Sequence, residues 1–364
     1  MRTLKYLFVA VAFIGLALAP LWLSSYTLSL LGRFLAMGIL AVGVSLSWGY
    51  TGILSLGQGV FFGLGAYALA MHLKIVASAG SLPDFMLWNG VSTLPWWWQP
   101  FSNPVFATLM VLVLPTLAAG LIAWLVFRRR ITGVYFALIT QALTLAFTTL
   151  VVSQQGTTGG FNGLTSFNTF FGVWLAGQRA QVGIYLITLG LLALSWGVAT
   201  WLTGTHFGKL LVAIRDGENR TRFLGYNTTP YKVAVFAFAG MLAGVAGALF
   251  TVQVGVISPA MIGVVPSIEM LIWVAIGGRG SITGAVLGAV LGNLLKDRVS
   301  SAYPDLWLYL MGVLFILVGT VLPKGLAGLL RETRASEELQ GTGLRMGKSQ
   351  PPLPSRYLEE AKDA

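Results

Sequence analysis

Apolar runs recur along this chain at close to the length of a bilayer crossing, divided by short polar or glycine-rich stretches. Tyr6–Leu23, Phe34–Trp48, Leu56–Leu73, Val105–Phe127, Thr132–Val152, Val182–Leu202 and Val233–Ile257 approach or exceed the roughly 20 residues a spanning helix needs. Backbone groups in lipid must bond one another, and a helix achieves this within the segment itself. The fold class that follows is an all-α integral membrane protein. Composition agrees: 56% of the 364 residues are hydrophobic and 10% charged, against about 25% charged in soluble domains.

The last third is less regular. Ser267–Ile276 and Thr283–Leu295 flank Gly277-Gly278-Arg279-Gly280, and neither run is long enough to span untilted, so they read as a re-entrant hairpin or two short, tilted spans. With these two and a last span at Leu306–Leu322, about ten membrane segments are expected. Ala17-Leu18-Ala19 looks like a signal cleavage site, but the run before it is long for a signal core, so a retained first helix is expected. Residues 1–322 form the transmembrane domain, and residues 323–364, with Pro351, Pro352 and Pro354, read as a disordered cytoplasmic tail.

Charge sets the orientation. Of 23 Lys and Arg residues, only Arg33, Lys74, Arg179, Lys296 and Arg298 fall on segments placed outside, as the positive-inside rule requires. The same scatter of basic clusters between apolar runs excludes nucleic-acid binding. With no cysteine and two isolated histidines, His72 and His206, there is no metal-ligand cluster, no thiol nucleophile and no cofactor site. The tail stretch GTGLRMGKS resembles a phosphate-binding loop, but Thr342 stands where glycine is needed and no strand precedes it.

One interruption stands out. Gly204–Lys232 is polar, and Lys209, Arg215, Arg220, Arg222 and Lys232 outnumber Asp216 and Glu218, which places it in the cytoplasm. Leu210, Leu211, Ile214, Phe223 and Leu224 lie among those charges, a pattern for one or two short amphipathic helices at the membrane surface. Such a loop can be gripped from below, or it can serve only to fix topology.

Candidate pathway residues come from breaks and polar stripes. Gly49-Tyr50-Thr51-Gly52 interrupts the apolar sequence before Ser55 and Gln58, as either a tight turn or a broken helix lining a path. Thr140, Gln141, Thr144 and Thr148 share one side of a helix, fit for interhelical hydrogen bonds or for facing substrate. Glu269 is the ionisable residue clearly inside a run. A single carboxyl near a span's end is a poor basis for ion coupling, which disfavours a stand-alone secondary transporter or channel. An integral-membrane enzyme lacks the His, Cys or paired-carboxylate constellation it would need.

The stretches GYTGILSLGQGVFFGLGAYA, RRRITGVYFALITQA, TTGGFNGL, FGKLLVAIRDGENRTRFLGYNTTPYKVAVFAFAG and IGGRGSITGAVLGA together resemble the permeases of ABC importers of the branched-chain amino acid and urea type. The resemblance implies a bacterial inner-membrane permease fold and a cytoplasmic coupling helix at or near Arg215, Asp216, Gly217, Glu218 and Asn219. It also implies ATP-binding subunits, usually a second permease chain, and an extracytoplasmic substrate-binding protein. The loop Ile75–Pro104, with Trp96-Trp97-Trp98, resembles the urea branch. Together with the uncharged candidate lining, it makes urea the expected substrate and branched-chain or neutral amino acids the alternative.

Overall fold

The computed structural model describes residues 2–167, 169–170, 173–175, 177–320, 325 and 328. Apart from residues 325 and 328, the expected tail and its GTGLRMGKS stretch lie outside the described residues. The helices are α1 (Arg2–Leu18), α2 (Ser25–Val44), α3 (Gln58–Ala77), α4 (Asp84–Trp88), α5 (Pro104–Arg128), α6 (Val134–Ser153), α7 (Gln155–Thr158), α8 (Gln178–Gly204), α9 (His206–Phe223), α10 (Thr228–Val254), α11 (Val264–Gly277), α12 (Ile282–Ala302) and α13 (Pro304–Thr320). Among the described residues, seven helical stretches are long and apolar enough to span a membrane: Ser25–Tyr50, α3, α5, α6, α8, α10 and Pro259–Gly277. Three of the ten or so expected segments fall short of that measure. Helices α1 and α13 have 17 residues each, and α12 carries Lys296, Asp297 and Arg298 in its last two turns.

Helix α10 is the hub, packed against α2, α3 and α5. Its glycines let the backbones close up: a side chain at Gly244 would strike Pro115 and lie 2.9 Å from the Val111 carbonyl, and one at Gly240 would strike Ala119. This is small-xxx-small packing, which suits helices that gain nothing from burying apolar surface away from lipid. Phe236 adds edge-to-face contacts with Phe61 and Phe136, at centroid distances of 5.5 and 5.1 Å. In α3, 78% of the apolar window is buried, against 28% in α5 and in α6, so α3 is central while the latter two turn leucines such as Leu117, Leu121 and Leu145 outward.

The two short runs form an antiparallel hairpin. Gly277 meets Gly284 and Gly288, the Trp273 ring lies over Gly292, and Glu269 pairs with Lys296, so contacts run in opposite senses along α11 and α12. The Ser281 hydroxyl accepts the Gly284 N–H at 3.2 Å and starts α12.

The break after α2 is longer than a turn. A π-helical stretch, Ser45–Tyr50, is followed by non-helical backbone as far as Gly57. Gly49 abuts the Arg279 carbonyl just beyond the end of α11, whereas the Gly59 N–H bonds Ser267 in the first turns of α11. Between these contacts the chain travels about 18 Å along α11, a distance that seven roughly extended residues cover. Helix α3 therefore begins inside the bundle. Its exposed donors are satisfied by hydroxyls: Leu56 N–H to Thr140 Oγ1 (3.1 Å), Gly57 N–H to Ser55 Oγ (3.2 Å) and Gly59 N–H to Ser267 Oγ (3.0 Å). Irregular backbone is tolerated at this depth only where protein satisfies it.

At the end of the bundle away from α9, β1 (Leu164–Thr165) pairs antiparallel with β4 (Val256–Ile257), and β2 (Thr169–Phe170) pairs with β3 (Val173–Trp174). Lys74, buried, ties this end together by an ion pair to Asp84 (2.8 Å) and a hydrogen bond to the Thr165 carbonyl (3.0 Å). The Trp-rich loop is anchored here: the Trp98 indole donates to the Thr157 carbonyl at 2.9 Å, while Trp96 stays exposed.

Candidate coupling and translocation site

The polar interruption folds as α9, two helical arms meeting at Gly217. Leu210, Leu211 and Ile214 are buried beneath the first arm, and Asp216, Asn219, Arg220, Phe223 and Leu224 are exposed, the last two at 91% and 77%. Gly217 has φ −173°, extended backbone that any residue adopts, and a side chain there would meet only the flexible Arg220 side chain at 3.3 Å. Nothing in the backbone requires glycine at the kink. Thr221 fastens the arms instead, its hydroxyl lying 3.0 and 3.1 Å from the Ala213 and Gly217 carbonyls.

The five residues expected at the coupling contact separate into two groups. Asp216 and Asn219 face outward, and Arg215 reaches both ways: its Nε donates to Asp216 (2.8 Å) and its Nη1 to the Gly49 carbonyl (2.7 Å). The bond from Arg215 holds the Asp216 carboxyl below the usual carboxylate range. Glu218 turns inward. It accepts from Arg222 (2.6 Å), Thr228 (2.9 Å) and Lys232 (3.0 Å), and Lys232 is buried at 3% exposure over the Phe127 ring. Burial acts to raise the Glu218 carboxyl, but the hydrogen bond and charge of Lys232, with Thr228 and Arg222, outweigh it and hold it low. Glu218 therefore fastens α9 to α10.

The α9 helix reaches the core through α2. Gly52 and Arg215 are in contact, Ser45 Oγ donates to the Arg279 carbonyl (3.1 Å), and the Arg279 guanidinium lies 5.3 Å from the Trp48 ring centre. One exposed helix, one broken span and the α11–α12 turn are thus joined within a few residues. Beside them lies a cavity of about 200 Å³ whose lining includes Thr51, Arg215, Glu218 and Lys232.

The candidate pathway residues divide by depth. Thr51 opens on this cavity, while Ser55, Gln58, Thr140 and Thr144 are buried. Tyr50, Gln141 and Thr148 are half-buried. The threonine stripe spends its protons on its own helix, Thr140 to Ala137, Thr144 to Thr140 and Thr148 to Thr144, so interhelical donation is not its role. Thr140 meets the broken segment as an acceptor, and Gln58 Oε1 is buried with no partner among the described residues. Glu269 is distant in role: 7% exposed, it accepts from Lys296 (2.6 Å) and from the Trp307 indole (3.1 Å).

Glu269 also lines a second cavity of about 270 Å³, between α2, α10, α11 and α12, with Arg33, Lys296 and Asp297. Arg33 and Lys296, expected on outer segments, join Glu269 here, whereas the expected pathway lining carries no charge apart from Glu269. Residues 33, 269 and 296 meet here only through the hairpin, which no local stretch of the sequence shows. The available signal is weak: an arginine immediately ahead of one apolar run, and a Lys-Asp-Arg cluster within a turn of another.

Residues 26–319 match the family model described as branched-chain amino acid transport system, permease component. The chain belongs to that family. The permease is 27% identical over 357 residues to the high-affinity branched-chain amino acid transport system permease protein LivM of Escherichia coli (strain K12), across 90% of this chain and 76% of the relative. It is 23% identical over 316 residues to the probable branched-chain amino acid transport permease protein LivM of Methanocaldococcus jannaschii, across 79% and 89%. A shorter match, 30% over 166 residues and 43% and 42% of the chains, is to the xylose transport system permease protein XylH of Escherichia coli (strain K12). No solved structure matches the permease. It is the multi-pass membrane component of a bacterial ABC importer and is not itself catalytic. The expected urea branch gains no support from these relatives.

Proposed function

We propose that the permease passes a branched-chain or other neutral α-amino acid into the cytoplasm, driven by ATP hydrolysis on separate subunits that bear on α9. The hydrogen bond from Arg215 to the Gly49 carbonyl carries the coupling argument, because it joins the exposed face of α9 to the break in α2. In this reading α9 and the cluster Arg128–Arg130 face the cytoplasm. Asp216, Asn219, Arg220, Phe223 and Leu224 offer the contact surface, Arg215 transmits, Glu218 holds the helix to α10, and Gly217 only marks the bend between its arms. Opposite, the strand-paired loops and exposed tryptophans face a soluble substrate-binding protein, with a second permease chain beside this one in the membrane. The path runs from the outer cavity, past Ser55, Gln58 and the Thr140–Thr148 face, to the cavity at Thr51.

Two points favour an amino acid over urea. Branched-chain permeases stand among the relatives along most of the chain, and the outer cavity carries charges of both signs, which an uncharged amide leaves unanswered. Uptake of labelled leucine and labelled urea by cells carrying the permease with its natural partners is the test. Permease-dependent leucine accumulation is expected. Urea uptake without leucine uptake would reverse the assignment.

A further inference from the structure

We infer that the cavity between α2, α10, α11 and α12 is a binding site for the zwitterion of an aliphatic α-amino acid, with Arg33 taking the carboxylate and Asp297 the ammonium. The inference rests on the amino-acid reading above and adds to it a place and two ligand contacts.

The charges in the cavity are not equivalent. Glu269 and Lys296 answer one another at 2.6 Å, and the Trp307 indole fixes the carboxylate further. Arg33 and Asp297 line the same space, and neither has an ion pair among the described residues. Arg33 Nε is buried without a hydrogen-bond partner. A guanidinium and a carboxylate left unanswered in a partly dry space are costly, and a ligand bearing both opposite charges removes the cost at each end. The guanidinium fork suits a carboxylate, which it grips with two parallel bonds.

The walls select the rest of the ligand. Phe34, Phe250, Met270 and Trp273 give an apolar flank suited to an aliphatic side chain, the usual division in small-molecule sites between greasy walls and a few fixed polar groups. The volume of about 270 Å³ lies just below the range of about 300–1,000 Å³ typical of drug-sized ligands, in keeping with a small solute. The cavity sits at the end of the bundle opposite α9, where substrate would first enter.

The test uses the permease purified with its membrane partners, without the soluble receptor, in nanodiscs of phosphatidylglycerol alone. Equilibrium binding of labelled L-leucine is measured, with leucinamide, which lacks the carboxylate, and 4-methylpentanoate, which lacks the ammonium, as competitors. Leucine should bind, and each analogue should compete at least tenfold more weakly. Arg33→Gln and Asp297→Asn should each weaken leucine binding at least tenfold, while Arg33→Lys and Asp297→Glu retain part of it. The analogue comparison needs no substitution, so a misfolded variant does not spare the proposal. Equal competition by either analogue, wild-type binding in both charge-removing variants, or no leucine binding by a complex that still imports leucine would overturn it. Complete displacement of leucine by added phosphatidylethanolamine would assign the same charges to a lipid headgroup and overturn it equally. Loss of leucine uptake from cells is a separate result, and it strikes the importer reading instead.

Discussion

Glu218→Ala removes the acceptor that keeps a buried ammonium in place, and its cost can be worked from the contacts. Lys232 Nζ loses the carboxylate at 3.0 Å and keeps, among the described residues, only the Phe127 ring at 4.3 Å. Removing one partner of a buried pair costs about 3–5 kcal/mol. Glu218 retains 21% side-chain exposure and the cation–π contact remains, so about 2–3 kcal/mol is expected. For a bundle of this size that corresponds to a fall of about 3–5 °C in apparent Tm, readable by fluorescence-detected melting in detergent. Glu218→Ala with Lys232→Met, which removes the stranded charge, should recover most of the loss. Acid gives an independent reading. Because the folded carboxyl titrates low, its contribution is complete above the ordinary glutamate value of about 4.3 and is lost as pH falls through the folded value. Wild type should therefore lose more stability than Glu218→Gln on acidification into that window. Melting of Glu218→Ala at the wild-type temperature, or a double variant no better than the single, would refute the assignment of Glu218 as a fastening.

Arg215→Ala should leave insertion and ATPase assembly intact but cut substrate-stimulated ATP hydrolysis by about tenfold, the effect of losing a charged hydrogen bond worth roughly 1.5 kcal/mol; unchanged stimulation in reconstituted vesicles would remove Arg215 from the coupling route. Gly288→Leu forces a side chain against Gly277, whose Cα lies 2.6 Å from the new Cβ, and should cost about 1–3 kcal/mol or more, seen as a lower melting temperature and poor expression. Single cysteines at Ser92 and Thr165 should react with an impermeant maleimide on intact cells, and one at Asn219 only after lysis; labelling of Asn219 from outside would invert the proposed orientation.

What the sequence disclosed follows from what each signal depends on. Span positions rest on local composition and need no tertiary information, so most segments before α11 are close to where the apolar runs lie; α2 is the exception, starting at Ser25, ahead of the run from Phe34, and taking in Arg33. The amphipathic pattern of Leu210, Leu211 and Ile214 is likewise local, and it foretold α9 with its buried face. The inward turn of Glu218 was hidden, because its partners Thr228 and Lys232 lie beyond the end of α9. The glycines at 49 and 52 marked a break but not its length, since the extended segment is held by Thr140 and Ser267 from distant helices. The charged cavity was hidden for the same reason. A rule that assigns basic residues to a membrane face has no means of telling that Arg33 and Asp297 share one space.

The hydroxyl bonds at the start of α3 have a mechanical consequence. A backbone amide held by Thr140 or Ser267 is joined to an oxygen that also donates within its own helix, to Ala137 or to Gly263. Such a joint is a latch: a side chain at Gly57 or Gly59 would strike the Thr140 or the Ile262 carbonyl, so the start of α3 is held to α6 and to the segment leading into α11 by backbone contact as well as by hydrogen bonds. The glycine contacts of α10 are equally direct, against Pro115 and the Val111 carbonyl on α5 and, through Gly65 and Gly247, against α3. The broken backbone before α3 is thus a junction of three helices, tied to α6 and α11 at its latch and to α10 along α3. On the coupling route proposed above, a stroke arriving from α9 through Gly49 meets that junction before any single helix, and so reaches α6, α11 and α10 together.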